Sequence, residues 1–267
     1  MSDNEPSVSE LLDLRGKVAV VTGAAGWLGA AMSRALAEAG AAMAVTSREG
    51  SRARDLAEAL PGGGHHGFQF DQGDADAIPE FLNEVNNKLG QVDILVNNAY
   101  GGTNHDIETV STADFDDAYH LGVTAPFVLA REVANHLRTR GASGSIINIA
   151  SMYGVVGSYP EAYSGHPVNS PASYHAMKGG LVHLTRHLAV YWAKDGIRVN
   201  AISPGPFPGA ETQRAMPEFI DRLNEKVPMG RMGRPEELKG IVVLLASDAG
   251  SYITGQNILV DGGWTAW

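Results

Sequence analysis

The chain has 267 residues, 44% of them hydrophobic, enough for one large core and too many for a disordered protein. Its formal net charge of −10, with no long basic run, argues against nucleic acid or an anionic membrane surface as a partner. Cysteine is absent, which removes disulfides and thiolate metal sites. A polar, acidic N-terminal arm occupies residues 1–13, and residues 14–267 form one expected domain. Within it, apolar runs predict strands near 17–22, 42–47, 66–70, 93–97, 144–150, 197–203 and 257–260. Helical patterns fall between them, over 27–39, 51–60, 76–88, 116–139, 172–194 and 235–247. Such alternation predicts an α/β protein built on a seven-stranded parallel sheet with helices on both faces. Met1 to Glu10 hold no apolar h-region, and no apolar stretch reaches the roughly 18 residues of a membrane helix. A soluble, cytoplasmic protein is the expectation.

The first strand runs into a glycine-rich turn, Thr22-Gly23-Ala-Ala-Gly26-Trp27-Leu28-Gly29, and then into a helix of good formers. Glycines let backbone N–H groups approach a pyrophosphate, and the start of a helix supplies partial positive charge. Gly40 and the strand after it follow at the interval of a βαβ unit, so a dinucleotide site is expected here.

The second feature is Tyr174-His-Ala-Met-Lys178, with Ser151 upstream at the end of an apolar strand. Four residues apart on a helix, the phenol and the ammonium share a face. A free tyrosine holds its proton to about pH 10, and a neighbouring cation is expected to lower that value into the range of a general acid/base. Gly23, Asn97, Ser151 and Pro204 all follow strand ends, so one rim of a parallel sheet would gather them.

Taken in order, these segments resemble the short-chain dehydrogenase/reductase family from about Leu14 onward. The resemblance is carried by Gly16–Gly23, Asp93-Ile-Leu-Val-Asn-Asn-Ala99, Gly144-Ser-Ile-Ile-Asn-Ile-Ala-Ser151 and Tyr174-x-x-x-Lys178. Gly196–Gly205, Gly233-Arg-Pro-Glu-Glu237 and Ile253–Gly263 complete it. It implies a single-domain Rossmann fold, doubly wound, and hydride transfer between a nicotinamide and a substrate carbon. By that resemblance Tyr174 is the acid/base, Lys178 tunes it and holds the nicotinamide ribose, and Ser151 binds the reacting oxygen. The implied cofactor residues are Gly23, Ala25, Gly26, Trp27, Leu28, Gly29, Ser47, Arg48, Asp71, Gln72, Asn98, Ala99, Tyr174, Lys178, Pro204, Gly205 and Phe207. Asn97 is also expected on the adenosine side.

Three departures from the family pattern stand out. Gly23 and Gly26 enclose two residues where the commoner spacing encloses three, as in the longer, sugar-nucleotide-modifying branch; Trp27 then either flanks the cofactor or covers the helix start. Gly122 aligns with a helix position where the family usually places an asparagine that anchors a relay water. The expectation is that Gly122→Asn is tolerated. Finally, Ser151 and Tyr174 stand 23 positions apart instead of about a dozen. The extra residues fall in an insertion at about 157–171, rich in hydroxyls and aromatic rings and stiffened by prolines.

At the end of the second strand, Ser47 takes the place of an acidic residue and Arg48 follows, which favours NADP over NAD. Ser151, Tyr153, Tyr159, Tyr163, His166 and Asn169 are the expected substrate contacts, suited to a secondary alcohol or ketone on a sugar, polyol or sugar acid. Two alternatives compete. One is reduction of a 3-oxoacyl thioester, and the other is a non-catalytic dinucleotide-binding sensor or scaffold, for which Gly122 speaks. No metal is expected, because His183 and His187 lack the glutamate of a zinc-protease motif. A homo-oligomer, dimer or tetramer, is expected through the helices 116–139 and 172–194 and the aromatic segment Gly263–Trp267.

Overall fold

Short aliphatic runs bounded by glycine and polar turns can bury both faces only as central strands. All seven predicted strands form in the computed structural model, which describes residues 5–101, 106–164 and 170–267. The chain runs α1 (Val8–Leu11), β1 (Val18–Val21), α2 (Trp27–Glu38), β2 (Ala42–Ser47), α3 (Gly50–Ala59) and β3 (His66–Gln69). It continues through α4 (Ile78–Leu89), β4 (Ile94–Asn97), α5 (Thr112–Tyr119), α6 (Ala125–Arg140) and β5 (Gly144–Ile149). The last third supplies α7 (Ala172–Trp192), β6 (Ile197–Pro204), α8 (Ala210–Ala215), α9 (Pro217–Lys226), α10 (Lys239–Ala246) and β7 (Asn257–Val260).

Every strand pairing is parallel, in the order β3-β2-β1-β4-β5-β6-β7. The chain therefore reverses its direction of winding between β1 and β4, which opens a crevice beyond the C-terminal strand ends. Side chains alternate between the two faces, as the strand period of two requires. Ala19, Val21, Met43, Val45, Ile94 and Val96 join α2 and α10 in one core layer. Val20, Ala44, Leu95, Ile146 and Val199 join α4, α6 and α7 in the other.

Three local differences from the sequence reading have physical causes. The expected helix 116–139 is broken into α5, a π-helical segment His120–Thr124, and α6. Pro126 has no N–H to donate to the carbonyl four residues back, which is that of Gly122, and the helix widens there. Helices α8 and α9 were not foreseen. Their turns are mostly exposed, and only Leu223 of α9 is fully buried. Within the N-terminal arm, Ser7 and Glu10 form a capping box that starts the short α1. Among the described residues no helix is long and apolar enough to cross a membrane.

At the N-terminal edge of the sheet, Asp93 gathers separate elements. Its Oδ2 accepts from Val18 N at 2.9 Å and Gln91 Nε2 at 2.8 Å, and its Oδ1 accepts from an Arg140 guanidinium nitrogen at 2.9 Å. The carboxylate is buried and Arg140 is partly covered. Asp93→Ala should destabilise the fold by about 2–3 kcal/mol, because a buried N–H and a partly buried cation lose their acceptor. Thermal unfolding should show a fall of roughly 4–12 °C, with catalytic rate per folded molecule unchanged, since this edge lies opposite the crevice.

Candidate active site

Two cavities beyond the strand ends lie beside the expected site residues, and Phe207 lines both. The larger, about 530 Å³, runs from the glycine turn past the end of β2 to the segment after β4. The smaller, about 170 Å³, lies over Ser151 and Tyr174 and is closed by the residues after β6 and by Leu223 of α9.

The glycine turn is built for close approach. Gly23 takes a positive φ of 60°, and a Cβ there would stand 2.8 Å from Ala99 Cα. A Cβ on Gly29 would overlap the Gly23 carbonyl, so the helix packs directly on the turn. Gly26 caps α2 without any side chain, leaving the first-turn N–H groups to face the larger cavity. Trp27 is 45% exposed at the first position of α2; it lines the cavity without filling it.

Of the predicted cofactor residues, Gly23, Ala25, Gly26, Trp27, Leu28, Gly29, Ser47, Arg48, Asp71, Gln72, Asn98, Ala99 and Phe207 line this cavity. Gly205 lines the smaller one, and Pro204 is buried at the end of β6. Several of these side chains brace the site. Asn98 Nδ2 donates to the carbonyls of Thr22 and Gly23 at 2.9 and 3.1 Å. Thr22 Oγ1 accepts from the N–H groups of Asn98 and Ala99, both at 3.0 Å. Gln72 Nε2 donates to Ala99 and Leu121 carbonyls, each at 2.9 Å. Asn97 corrects the expectation placed on it: its amide turns into the core and donates to Asn148 Oδ1 at 2.9 Å.

Thr22, Arg52, Tyr100 and Leu121 also line the larger cavity and were missed in the sequence. Tyr100 directly follows Ala99 beyond a strand end, and that position was the signal available for it. Arg52 lies in the first turn of α3. Arg52 lies 3.6 Å from the Glu49 carboxylate.

Ser151, Tyr174 and Lys178 come together. Ser151 is buried at the end of β5 and is hydrogen-bonded to the Tyr174 hydroxyl; its Oγ also accepts from Tyr153 N at 3.2 Å. Lys178 is buried and donates to the Ile149 carbonyl at 2.7 Å. Burial pulls its pKa down to about 8. The expectation for Tyr174 needs correction. Burial pushes its phenol above the ordinary tyrosine value, outweighing the Ser151 hydrogen bond, and the neighbouring Tyr163 adds to the rise. The Lys178 ammonium stands 5.6 Å from the centre of the Tyr174 ring, with its hydrogen bond spent on the strand.

Tyr153 and Tyr163 line the smaller cavity, and their hydroxyls meet at 2.9 Å. The Tyr153 ring stacks on His175 at 4.6 Å. Tyr159 does not join them: it packs against Trp264 at 5.4 Å, with the Lys226 ammonium 5.2 Å from its ring. An apolar cluster around Trp264 draws that ring away from the cavity. His166 and Asn169 lie outside the described residues.

Gly122 is buried in the π-helical segment, and its place is taken from the other side. A Cβ on Gly122 would overlap the sulfur of Met177, which is fully buried one residue before Lys178. The tolerance expected of Gly122→Asn is therefore not supported by the packing. That substitution should cost about 1–3 kcal/mol by overpacking. Met177→Ala alone should leave a void and cost about 2–5 kcal/mol. Combined, the two should couple favourably by at least about 1 kcal/mol in urea unfolding. Simple additivity would show that the two positions do not share one space.

A family described as "Enoyl-(Acyl carrier protein) reductase" matches residues 23–265. The chain is 36% identical over 274 residues to an NADP-dependent mannitol dehydrogenase of Hypocrea jecorina, covering 97% of each. It is 38% identical over 256 residues to the 2-dehydro-3-deoxy-D-gluconate 5-dehydrogenase of Escherichia coli, covering 95% of this chain and 97% of that one. Among solved structures, a gluconate 5-dehydrogenase from Burkholderia cenocepacia in complex with NADP and tartrate is 31% identical with a TM-score of 0.87. It covers 98% of this chain and 100% of its own. A short-chain type dehydrogenase/reductase from Mycobacterium marinum gives a TM-score of 0.88 at 34% identity with the same coverage.

Proposed function

The chain belongs to the short-chain dehydrogenase/reductase family, and from that premise we propose an NADP-preferring oxidoreductase that interconverts a secondary alcohol and a ketone on a small, hydroxyl-rich molecule. The observation that carries this reading is the meeting of Ser151, Tyr174 and Lys178 where the two cavities approach each other. Relatives that act on mannitol, threitol and gluconate support the substrate class.

The cavity at the glycine turn fits a dinucleotide. Gly23, Gly26 and Gly29 leave room for a pyrophosphate against the uncapped start of α2, and Asp71 stands beyond β3. When bound, the nicotinamide would supply or accept the hydride. In this reading the chain's own groups handle the proton. Ser151 donates to the reacting oxygen, where negative charge grows in the transition state. Tyr174, held protonated by burial, is ready to pass its proton to that oxygen, and in the reverse direction to recover one. Lys178 has two N–H donors beyond the one it gives to Ile149, and these would reach ribose hydroxyls.

Among the described residues the smaller cavity is walled by phenols, Ser151 and apolar groups such as Met152 and Leu223. The cations nearby are engaged elsewhere. Arg222 Nε donates to the Ala162 carbonyl at 3.1 Å, and Lys226 sits over Tyr159. Such walls suit a neutral polyol or ketose. The rival 3-oxoacyl-thioester activity would need a basic surface for an acidic carrier, and the chain's charge of −10 favours none. Tyr163, in the described part of the insertion, lines this cavity. Exposed Val190 and Tyr191 on α7, together with Trp267, support self-association as a dimer or tetramer. A cytoplasmic location belongs to the same proposal.

Mannitol, threitol, gluconate and an acetoacetyl thioester with NADP(H) and NAD(H), followed at the nicotinamide absorbance, test the assignment. Turnover should be highest with a polyol. Tyr174→Phe should lower kcat by about 10²–10⁴-fold with every substrate while NADPH still binds; an unchanged kcat would refute Tyr174 as the acid/base. Cofactor choice has its own test. Arg48 at the end of β2, beside Ser47 and Arg52, supplies the cation for a 2′-phosphate. Arg48→Ala should raise KM for NADP by about 10-fold or more, the worth of one charge-assisted hydrogen bond, and raise KM for NAD much less. Equal losses would remove Arg48 from the recognition of the phosphate.

A further inference from the structure

Tyr100 follows the Asn98-Ala99 pair beyond β4 and lines the larger cavity. Its ring meets the Tyr174 ring edge-to-face, with centroids 5.2 Å apart and planes at 70°. The Lys178 ammonium lies 5.5 Å from the centre of the Tyr100 ring and 5.6 Å from that of Tyr174. Both distances fall within the reach of a cation–π contact. Apart from these rings, that ammonium makes one hydrogen bond among the described residues, to Ile149. Met177, one residue before Lys178, packs against Gly122, which has no side chain to offer a hydrogen bond.

The Tyr100 backbone is fixed in place from its N-terminal side. Ala99 N donates to Thr22 Oγ1 at 3.0 Å, and the Ala99 carbonyl accepts from Gln72 at 2.9 Å. The Tyr100 hydroxyl forms no hydrogen bond among the described residues, so the ring is the part in use. Burial pushes that hydroxyl up to about 12, with the nearby Tyr174 adding to the rise, and the ring stays neutral. The other side of the ring is open to the cavity, and the residue is 39% exposed.

We infer that Tyr100 is a positioning residue, whose aromatic ring holds the Lys178 ammonium and the Tyr174 phenol in one geometry from the dinucleotide side. A buried ammonium with a single hydrogen bond is poorly compensated, and two aromatic faces make up part of the deficit. An aliphatic side chain of similar bulk would fill the space without attracting the charge. The inference rests on the acid/base assignment of Tyr174 made above, and it goes further by naming a group outside the Ser151, Tyr174 and Lys178 set.

The experiment compares Tyr100→Phe, Tyr100→Leu and Tyr100→Ala in the intact chain, using the best alcohol of the panel above at saturating NADP. NADPH affinity is followed by fluorescence titration, and folding by thermal unfolding. Tyr100→Leu and Tyr100→Ala should each lose about 10-fold in kcat, the combined worth of an edge-to-face and a cation–π contact. NADPH affinity should change less than about three-fold, and Tyr100→Phe should recover most of the lost kcat because it keeps the ring. Three results would overturn the inference: wild-type kcat in Tyr100→Ala, a loss in Tyr100→Phe as large as in Tyr100→Ala, or a fall in NADPH affinity as large as the fall in kcat. Tyr174→Phe is measured beside them. If it keeps turnover, the acid/base assignment itself fails, whatever the Tyr100 variants do.

Discussion

The bond from Lys178 to the Ile149 carbonyl ties α7 to the end of β5, and the site depends on that tie. One residue past Ile149 the chain leaves the sheet, with Ala150 N still bonded to the Ile202 carbonyl at 2.8 Å. Ser151 comes next, and its hydroxyl is already engaged by Tyr153 N at the start of a short turn over Met152–Gly154. With Lys178 fixed against the strand, Tyr174 must project one helical turn earlier on the same face, which is where Ser151 waits. The helix–strand contact thus brings Tyr174 to Ser151.

The dinucleotide side is braced by side-chain hydrogen bonds. Thr22 and Asn98 lock the ends of β1 and β4 together, and Gln72 adds the segment before α6 through Leu121. The backbone N–H groups at the start of α2 face the same cavity, where a helix N-terminus suits an anion. The π-helical segment belongs to this frame. Pro126 removes a donor, the helix widens at Gly122, and Met177 packs into the space that opens. A position that sequence pattern alone marks as a missing side chain is, in three dimensions, an exchange of one filler for another.

Strands and the glycine turn were legible because their causes are local: apolar runs bounded by turns, and glycines at fixed intervals. The residues after β1, β2, β3 and β4 that line the larger cavity were legible through the family resemblance and their places at strand ends, and the same position pointed to Tyr100. Other features were hidden because they depend on packing between distant segments. Tyr159 reads as polar and available, yet Trp264, far along the chain, claims its ring. Asn97 reads as a rim residue, but the alternation of the strand turns it toward Asn148 and the core. Helix α8 buries no residue, and α9 sets Ile220 and Leu223 against a cluster that exists only once the chain has folded.

The sign of the Tyr174 shift is the most instructive of these differences, since spacing alone pointed the other way. A cation beside a phenol favours the phenolate, but burial of both groups favours their neutral forms. Here burial wins at each: the phenol rises above its ordinary value while the ammonium falls to about 8. Spacing along a helix shows only that the two groups share a face; how far each is withdrawn from water depends on β5, the turn over Met152–Gly154 and the segment after β4, which come together only in the folded chain.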